Sequence, residues 1–232
     1  MPEVAGVVLA AGPGKRMGLP SPKLLLPIRG KPILAWVLDL VERLPLTERI
    51  IVVGAYASQI ISALFSPAAL NSWNFSTPPF SPQERAIPSC APCLSPEEKI
   101  MFHGEKNWRV LYNPNWPEGM GSSLRRAAEA VTTGMLVFLG DMPFVPESAA
   151  RAVLGRAGEK PVAPSYQGQR GFPVYLPPSF RAQLLRLRGD KGARDLLKEC
   201  ELVPSADPGV IWDVDQPEDL QAERWCECGQ SP

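Results

Sequence analysis

Apolar and polar positions along the chain alternate between two periods. Val4–Leu9 is a short, unbroken apolar run, the pattern of a strand covered on both faces. Pro32–Leu44 then sets Ile33, Leu34, Val37, Leu40, Val41 and Leu44 at helical spacing, with proline at the first turn. Arg49–Val53 predicts a second buried strand, Ser58–Phe65 a short helix, Trp108–Tyr112 a third strand and Ser122–Val131 a helix. Met135–Leu139 predicts a fourth strand running into Gly140-Asp141, followed by a helix over Ser148–Leu154. Val162–Ser165 and Phe172–Leu176 predict two strands about the turn Gln167-Gly168-Gln169, and Val210–Trp212 is also strand-like. Phe180–Leu187, Ala193–Lys198 and Gln216–Trp225 predict helices. Strands alternating with helices imply βαβ units. The expected fold class is α/β, a Rossmann-like three-layer sandwich with a mainly parallel mixed sheet. Such sheets collect ligands at the carboxyl ends of their strands.

Residues 66–107 interrupt this rhythm. The segment is rich in Pro and Ser and lacks a sustained period, and structureless loops of that length are uncommon in a compact domain. The expectation is one domain over 1–232 with an atypical insertion at 66–107, partly ordered by burial of Trp73, Phe75, Phe80 and Phe102. A chain of 232 residues with 45% apolar and 21% charged residues suits one globular domain. The formal net charge of zero lacks the footprint of a general nucleic-acid binder. No apolar run approaches the roughly 20 residues that span a bilayer. The opening MPEVAGVVLAAG has no basic region before its apolar run and reads as a strand rather than a signal peptide. A cytoplasmic protein without nucleic-acid or membrane partners is expected. Prolines number 27, about twice the usual share, which hints at a thermophilic source. Five cysteines, an odd count, do not suggest a secreted disulfide framework. Cys90, Cys93, Cys226 and Cys228 together would supply four thiolates to a metal, but read as ordinary thiols outside the site. His103 has no partner cluster and receives no role.

The candidate chemistry follows strand ends. After the first strand, the small residues around Leu9, Ala10, Ala11, Gly12 and Gly14 let backbone N–H groups approach a ligand, and Lys15, Arg16 and Lys23 add cations. Triphosphate needs that combination. The spacing is neither a P-loop nor a dinucleotide fingerprint. Asp141 follows an apolar strand, and Asp213 and Asp215 flank Val214 so that both project to one face of an extended segment. Such carboxylates suit Mg²⁺, or alternatively cap the helix at Pro217. Glu118-Gly119-Met120-Gly121-Ser122-Ser123 joins a strand to a helix whose first amides suit an anion or a base edge, with Ser122 as a possible cap.

Leu9-Ala10-Ala11-Gly12-Pro13-Gly14-Lys15-Arg16-Met17-Gly18 resembles the nucleotidyltransferases that act on molybdenum cofactor, above all their cytidylyltransferase branch. The resemblance continues through Lys23–Pro27, Gly30–Leu34, Asn113–Leu124, Leu139–Pro143, Ala163–Val174, Leu187–Arg194 and Asp213–Leu220. It implies transfer of CMP from CTP to molybdopterin with release of pyrophosphate, and a molybdoenzyme as client of the product. Arg16, Lys23 and Asp141 would be the catalytic residues. Leu9, Ala10, Ala11, Gly12, Gly14, Lys15, Arg16, Lys23, Asn113 and Gly119 would bind the nucleotide. Met120, Ser122, Ser123, Arg170, Gly171, Asp190 and Arg194 would face the acceptor, and Asp141 and Asp215 would hold Mg²⁺ with Asp213 beside them. Ala11, where the guanylyl branch has glycine, points to CTP. The alternatives are a guanylyl- or sugar-phosphate nucleotidyltransferase, and a carrier that hands molybdenum cofactor to its client without catalysis.

Overall fold

The computed structural model describes residues 3–14, 22–65, 99–103, 106–189 and 200–220. Strand β1 (Val4–Ala10) is buried along its whole length because both its faces are covered. Val4, Val8 and Ala10 join one apolar cluster and Ala5, Val7 and Leu9 the other, as the two-residue period of a strand requires. A two-stranded hairpin of β2 (Pro27–Ile28) and β3 (Lys31–Pro32) leads into α1 (Ile33–Arg43). There Ile33, Leu34, Val37, Leu38, Leu40 and Val41 form the buried stripe. The chain continues through β4 (Glu48–Val53), α2 (Ala57–Phe65), β5 (Lys99–His103), β6 (Lys106–Tyr112), α3 (Met120–Ala130), β7 (Gly134–Leu139) and α4 (Glu147–Leu154). After them come β8 (Val162–Tyr166), β9 (Gln169–Arg170), β10 (Val174–Leu176), α5 (Arg181–Leu184) and β11 (Glu201–Pro204).

The main sheet runs β11-β8-β10-β7-β1-β4-β6-β5, with β9 paired to β8. Its centre is parallel: β1 lies between β7 and β4, and β4 pairs with β6. Antiparallel strands flank that centre, β10 between β7 and β8 and β5 at the β6 edge. Helices α1, α2 and α4 cover one face, and α3 and α5 the other. This is the expected three-layer α/β sandwich with a mainly parallel mixed sheet. The chain passes from β1 outward to β4 and β6 and then returns to the other side of β1 to form β7, so the order reverses at β1. That reversal opens a crevice at the carboxyl ends of β1 and β7. No helix among the described residues is long and apolar enough to cross a membrane.

Four local expectations are revised. Pro208–Val210 is a 3₁₀ turn, not the start of a strand over Val210–Trp212, because Asp207 caps it by accepting from the Gly209 amide at 2.7 Å. Strand β11 had no apolar signature, since only Val203 of its four residues is buried at this sheet edge. The helix expected over Phe180–Leu187 is a 3₁₀ turn at Pro178–Phe180 followed by the single turn of α5. The end of the Pro/Ser-rich segment is sheet, because Lys99–His103 pairs with Lys106–Val110. There His103 is buried and has a partner after all: its Nδ1 lies 2.9 Å from Glu42 Oε1, which also accepts from Trp108 Nε1 at 3.0 Å. Trp73, Phe75, Phe80, the helix at Ala193–Lys198, residues 221–225 of the last expected helix, and Cys90, Cys93, Cys226 and Cys228 lie outside the described residues.

Candidate active site

Register sets the centre of the crevice. Leu9 of β1 pairs with Leu139 of β7, and the Gly140 amide donates to the Leu9 carbonyl at 3.0 Å, so Asp141 emerges beside the loop that follows β1. A second link brings in the other carboxylates. The Val214 amide donates to the Asp141 carbonyl at 2.9 Å, which lays residues 213–215 alongside Asp141. Val214 is fully buried, and Asp213 and Asp215 stand on the opposite side of the backbone. One carboxylate oxygen from each of Asp141, Asp213 and Asp215 falls within 4.8 Å of the others. The capping role weighed for these residues belongs to Asp219, whose Oδ2 accepts from the Asp215 and Gln216 amides at 3.0 and 2.9 Å.

Lys23 enters the same cluster from the far side of the loop. Its Nζ donates to Asp141 Oδ2 at 2.8 Å and to Asp215 Oδ1 at 2.7 Å, while the side chain is only 7% exposed. Burial works against the ammonium, but the Asp141 and Asp215 carboxylates outweigh it and hold its pKa above the ordinary lysine value. Burial, then the repulsion of Asp215 and Asp141, pushes Asp213 above the usual carboxylate range. Among the described residues, the cluster brings three carboxylates around one ammonium. A set of oxygen donors with surplus negative charge fits a hard divalent cation such as Mg²⁺.

The described start of the loop lies against Lys23. Leu9, Ala10 and Ala11 are buried, Gly12 is exposed, and Gly14 adopts a positive φ of 58°. A Cβ at Gly14 would stand 2.9 Å from the Lys23 Cβ, so this turn tolerates no side chain. Ala11 is only 4% exposed, its methyl lies against Gly54, and its carbonyl accepts from the Ala55 amide at 3.0 Å. Lys15 and Arg16 lie outside the described residues, as do Asp190 and Arg194.

On the neighbouring wall, Asn113 follows the carboxyl end of β6. It is buried, and its Nδ2 donates to Ser122 Oγ at 2.8 Å and Ser123 Oγ at 3.1 Å. Ser122 Oγ in turn donates to the Gly119 carbonyl at 2.8 Å. These three side chains therefore tie the turn after β6 to the first turn of α3. Asn113 and Ser122 also line a cavity of about 290 Å³ beside that turn. Met120 is 41% exposed at the start of α3. Arg170 and Gly171 lie at the end of β9, where Gly171 meets the 208–215 segment: a Cβ there would come within 2.0 Å of the Val210 carbonyl oxygen. The neighbouring Phe172 amide donates to the same carbonyl at 2.8 Å. Sequence reasoning gave Gly171 to the acceptor; the structure adds a packing duty that positions the carboxylate-bearing segment. It missed Asp219, whose signal was its place three residues after Gln216, as in a capping box.

A doubly wound sheet with acidic groups and a lysine at its switch point defines a nucleotide-handling α/β enzyme. The chain belongs to the family of MobA-like NTP transferase domains, which it matches over residues 6–76 and 82–204. It is 26% identical to the purine catabolism protein PucB of Bacillus subtilis over 96% of this chain and 97% of that one. Rv0371c of Mycobacterium tuberculosis has the same architecture, with a TM-score of 0.68 and 25% identity over 97% of this chain and 98% of that one, and its structure has also been solved with manganese. Molybdopterin-guanine dinucleotide biosynthesis protein A of Archaeoglobus fulgidus shares the fold at a TM-score of 0.60 and 17% identity, covering 96% and 98% of the two chains. The chain is therefore a nucleotidyltransferase by family and by fold.

Proposed function

We propose that this enzyme transfers CMP from CTP to molybdenum cofactor and releases pyrophosphate. The observation that carries the reading is the buried Lys23 ammonium held between Asp141 and Asp215 at the mouth of the β1 loop. Attack on an α-phosphate builds negative charge on phosphate oxygens and on the leaving pyrophosphate, and fixed cations aimed at that position lower the barrier. The main-chain amides after β1, together with Lys15, Arg16 and Lys23, would bind the triphosphate. Asp141 and Asp215, with Asp213 as a third donor, would hold Mg²⁺, which when bound neutralises phosphate charge. A manganese complex of the related Rv0371c agrees with a divalent metal on this fold. Gly119, Met120, Ser122 and Ser123 would shape the wall toward base and acceptor, with Asn113 holding it in place. Arg170, Gly171, Asp190 and Arg194 would complete the acceptor side. The reading also treats residues 1–232 as one transferase domain in the cytoplasm, with the product passed to a molybdoenzyme.

CTP is preferred because of Ala11. Since its methyl packs on Gly54 rather than standing free, it would act by fixing how far the loop lies from the base. A second reading, transfer of GMP from GTP, is favoured by the name of the Archaeoglobus fulgidus neighbour. Pyrophosphate release is the deciding measurement, with molybdenum cofactor as acceptor and CTP or GTP as donor. Release from CTP at least tenfold faster than from GTP supports the proposal. Faster release from GTP supports the second reading, and no release from either triphosphate would overturn both readings, in favour of a sugar-phosphate nucleotidyltransferase or a carrier.

A further inference from the structure

Arginines elsewhere on the described surface have partners. Arg43, Arg109, Arg125, Arg126, Arg151 and Arg156 form ion pairs, and Arg49 and Arg181 donate to main-chain carbonyls. Arg186 and Arg188 differ: both are exposed, and neither guanidinium makes a hydrogen bond or ion pair with a described residue. Both line one cavity of about 830 Å³, which falls in the size range of small-molecule sites. Its other walls include Glu118, Arg125, Leu185 and Leu187.

Arg125 gives this cavity a rigid side. Its Nη1 donates to the Leu187 carbonyl at 2.8 Å and its Nη2 to Glu118 Oε2 at 3.1 Å. The guanidinium is thus fixed while keeping further N–H donors, of which arginine has five. Among the described residues that line it, three guanidinium groups stand against one carboxylate, on a chain whose formal net charge is zero. Like charges that line one cavity repel one another, and an anionic ligand between them relieves that repulsion. A phosphate monoester carries close to two negative charges above its second pKa of about 6, and its oxygens match the guanidinium fork. A monocarboxylate satisfies half of that charge.

We propose that Arg125, Arg186 and Arg188 form a phosphate-binding site that is separate from the triphosphate loop and takes the dianionic phosphate group of a small molecule. The site does not depend on which nucleotide the enzyme uses. Arg125 also lines the 290 Å³ cavity that holds Asn113 and Ser122, so an occupant would sit next to the strand ends that form the active-site wall.

Titration of the full chain with inorganic phosphate at ~pH 8 by calorimetry, without nucleotide or metal, tests the proposal. The expected result is saturable binding of one phosphate per chain, at least tenfold weaker in R186S/R188S. The double variant R43S/R156S removes equal charge elsewhere and should bind phosphate as the parent does. Acetate in place of phosphate should bind at least tenfold more weakly. Equal affinity in R186S/R188S and the parent, or an equal loss in R43S/R156S, would overturn the site. So would stoichiometric displacement of phosphate by CTP, which would place the bound ion in the nucleotide cleft. None of these outcomes bears on pyrophosphate release, so the transferase reading stands or falls separately.

Discussion

Lys23 stands where a cation is wanted twice. It bonds Asp141 and Asp215, and in the proposed reaction the same position would serve a phosphate chain at the loop. Replacing it by alanine removes the ammonium that Asp141 and Asp215 share. Lys23→Ala is expected to lower turnover about 10²–10³-fold, the range seen when one preorganised charge is removed from an active site. It should also lose roughly 3 kcal/mol of stability, the low end for stripping one partner from a buried pair, because the two aspartates remain 25% and 22% exposed. Added Mg²⁺ should raise the melting temperature of the variant more than that of the parent, since the cation takes the place of the ammonium. An equal shift in both proteins would argue against metal binding by these carboxylates. The carboxylates and Lys23 were legible in the sequence because each follows an apolar run or a glycine turn. The partnership between them was not, since it spans 118 and 192 residues and no local pattern encodes it.

At the scale of elements, the carboxylates depend on how the turn after β9 packs on the segment from Pro208 to Asp215. Gly171 brings the two backbones together with no room for a Cβ, the obstacle being main-chain atoms of Val210 rather than a flexible side chain. Gly171→Ala should therefore push Asp213 and Asp215 away from Asp141. The expected outcome is a stability loss of about 1–3 kcal/mol, as for overpacking, with a larger proportional change in kcat than in KM for the nucleotide. Retained far-UV circular dichroism with unchanged kcat would show that the segment tolerates the shift. Helix α1 and the central parallel strands β1, β4 and β7 were read correctly because each carries a sustained buried apolar pattern. The segment bearing Asp213 and Asp215 was misread locally, since turn chemistry at Asp207-Pro208-Gly209 overrides the apolar character of Val210, Ile211 and Trp212.

For the molecule as a whole, buried groups set the alkaline limit of stability. Burial, and secondarily Glu159, raises the pKa of Tyr175, whose hydroxyl donates to the Gly158 carbonyl at 3.1 Å. Burial pushes the Cys200 thiol from 9.0 up to about 11, with Arg170 opposing and Glu201 reinforcing the rise. Both groups bind their protons more tightly in the folded chain. Their stabilisation is complete below the unfolded pKa values and is lost as pH rises through the folded ones. The melting temperature should thus fall from about pH 9 upward, as the Cys200 thiol ionises more readily in the unfolded chain than in the folded one. Cys200→Ala should flatten the first part of that fall, and an unchanged profile would remove Cys200 from the account. The layered architecture followed from the alternation of periods. The two sheet edges did not: β5 lies in a stretch whose composition resembles a loop, and β11 has one buried side chain.

The reach of the Lys23–Asp215 ion pair also has a consequence for biosynthesis. A ribosome adding roughly 5–20 residues per second needs about ten to forty seconds to cover the 192 positions between them. Until then the nascent chain has Lys23 but lacks the aspartates from the 208–215 segment. Under the proposed mechanism, a growing polypeptide would be unable to turn over nucleotide until that segment has joined the crevice.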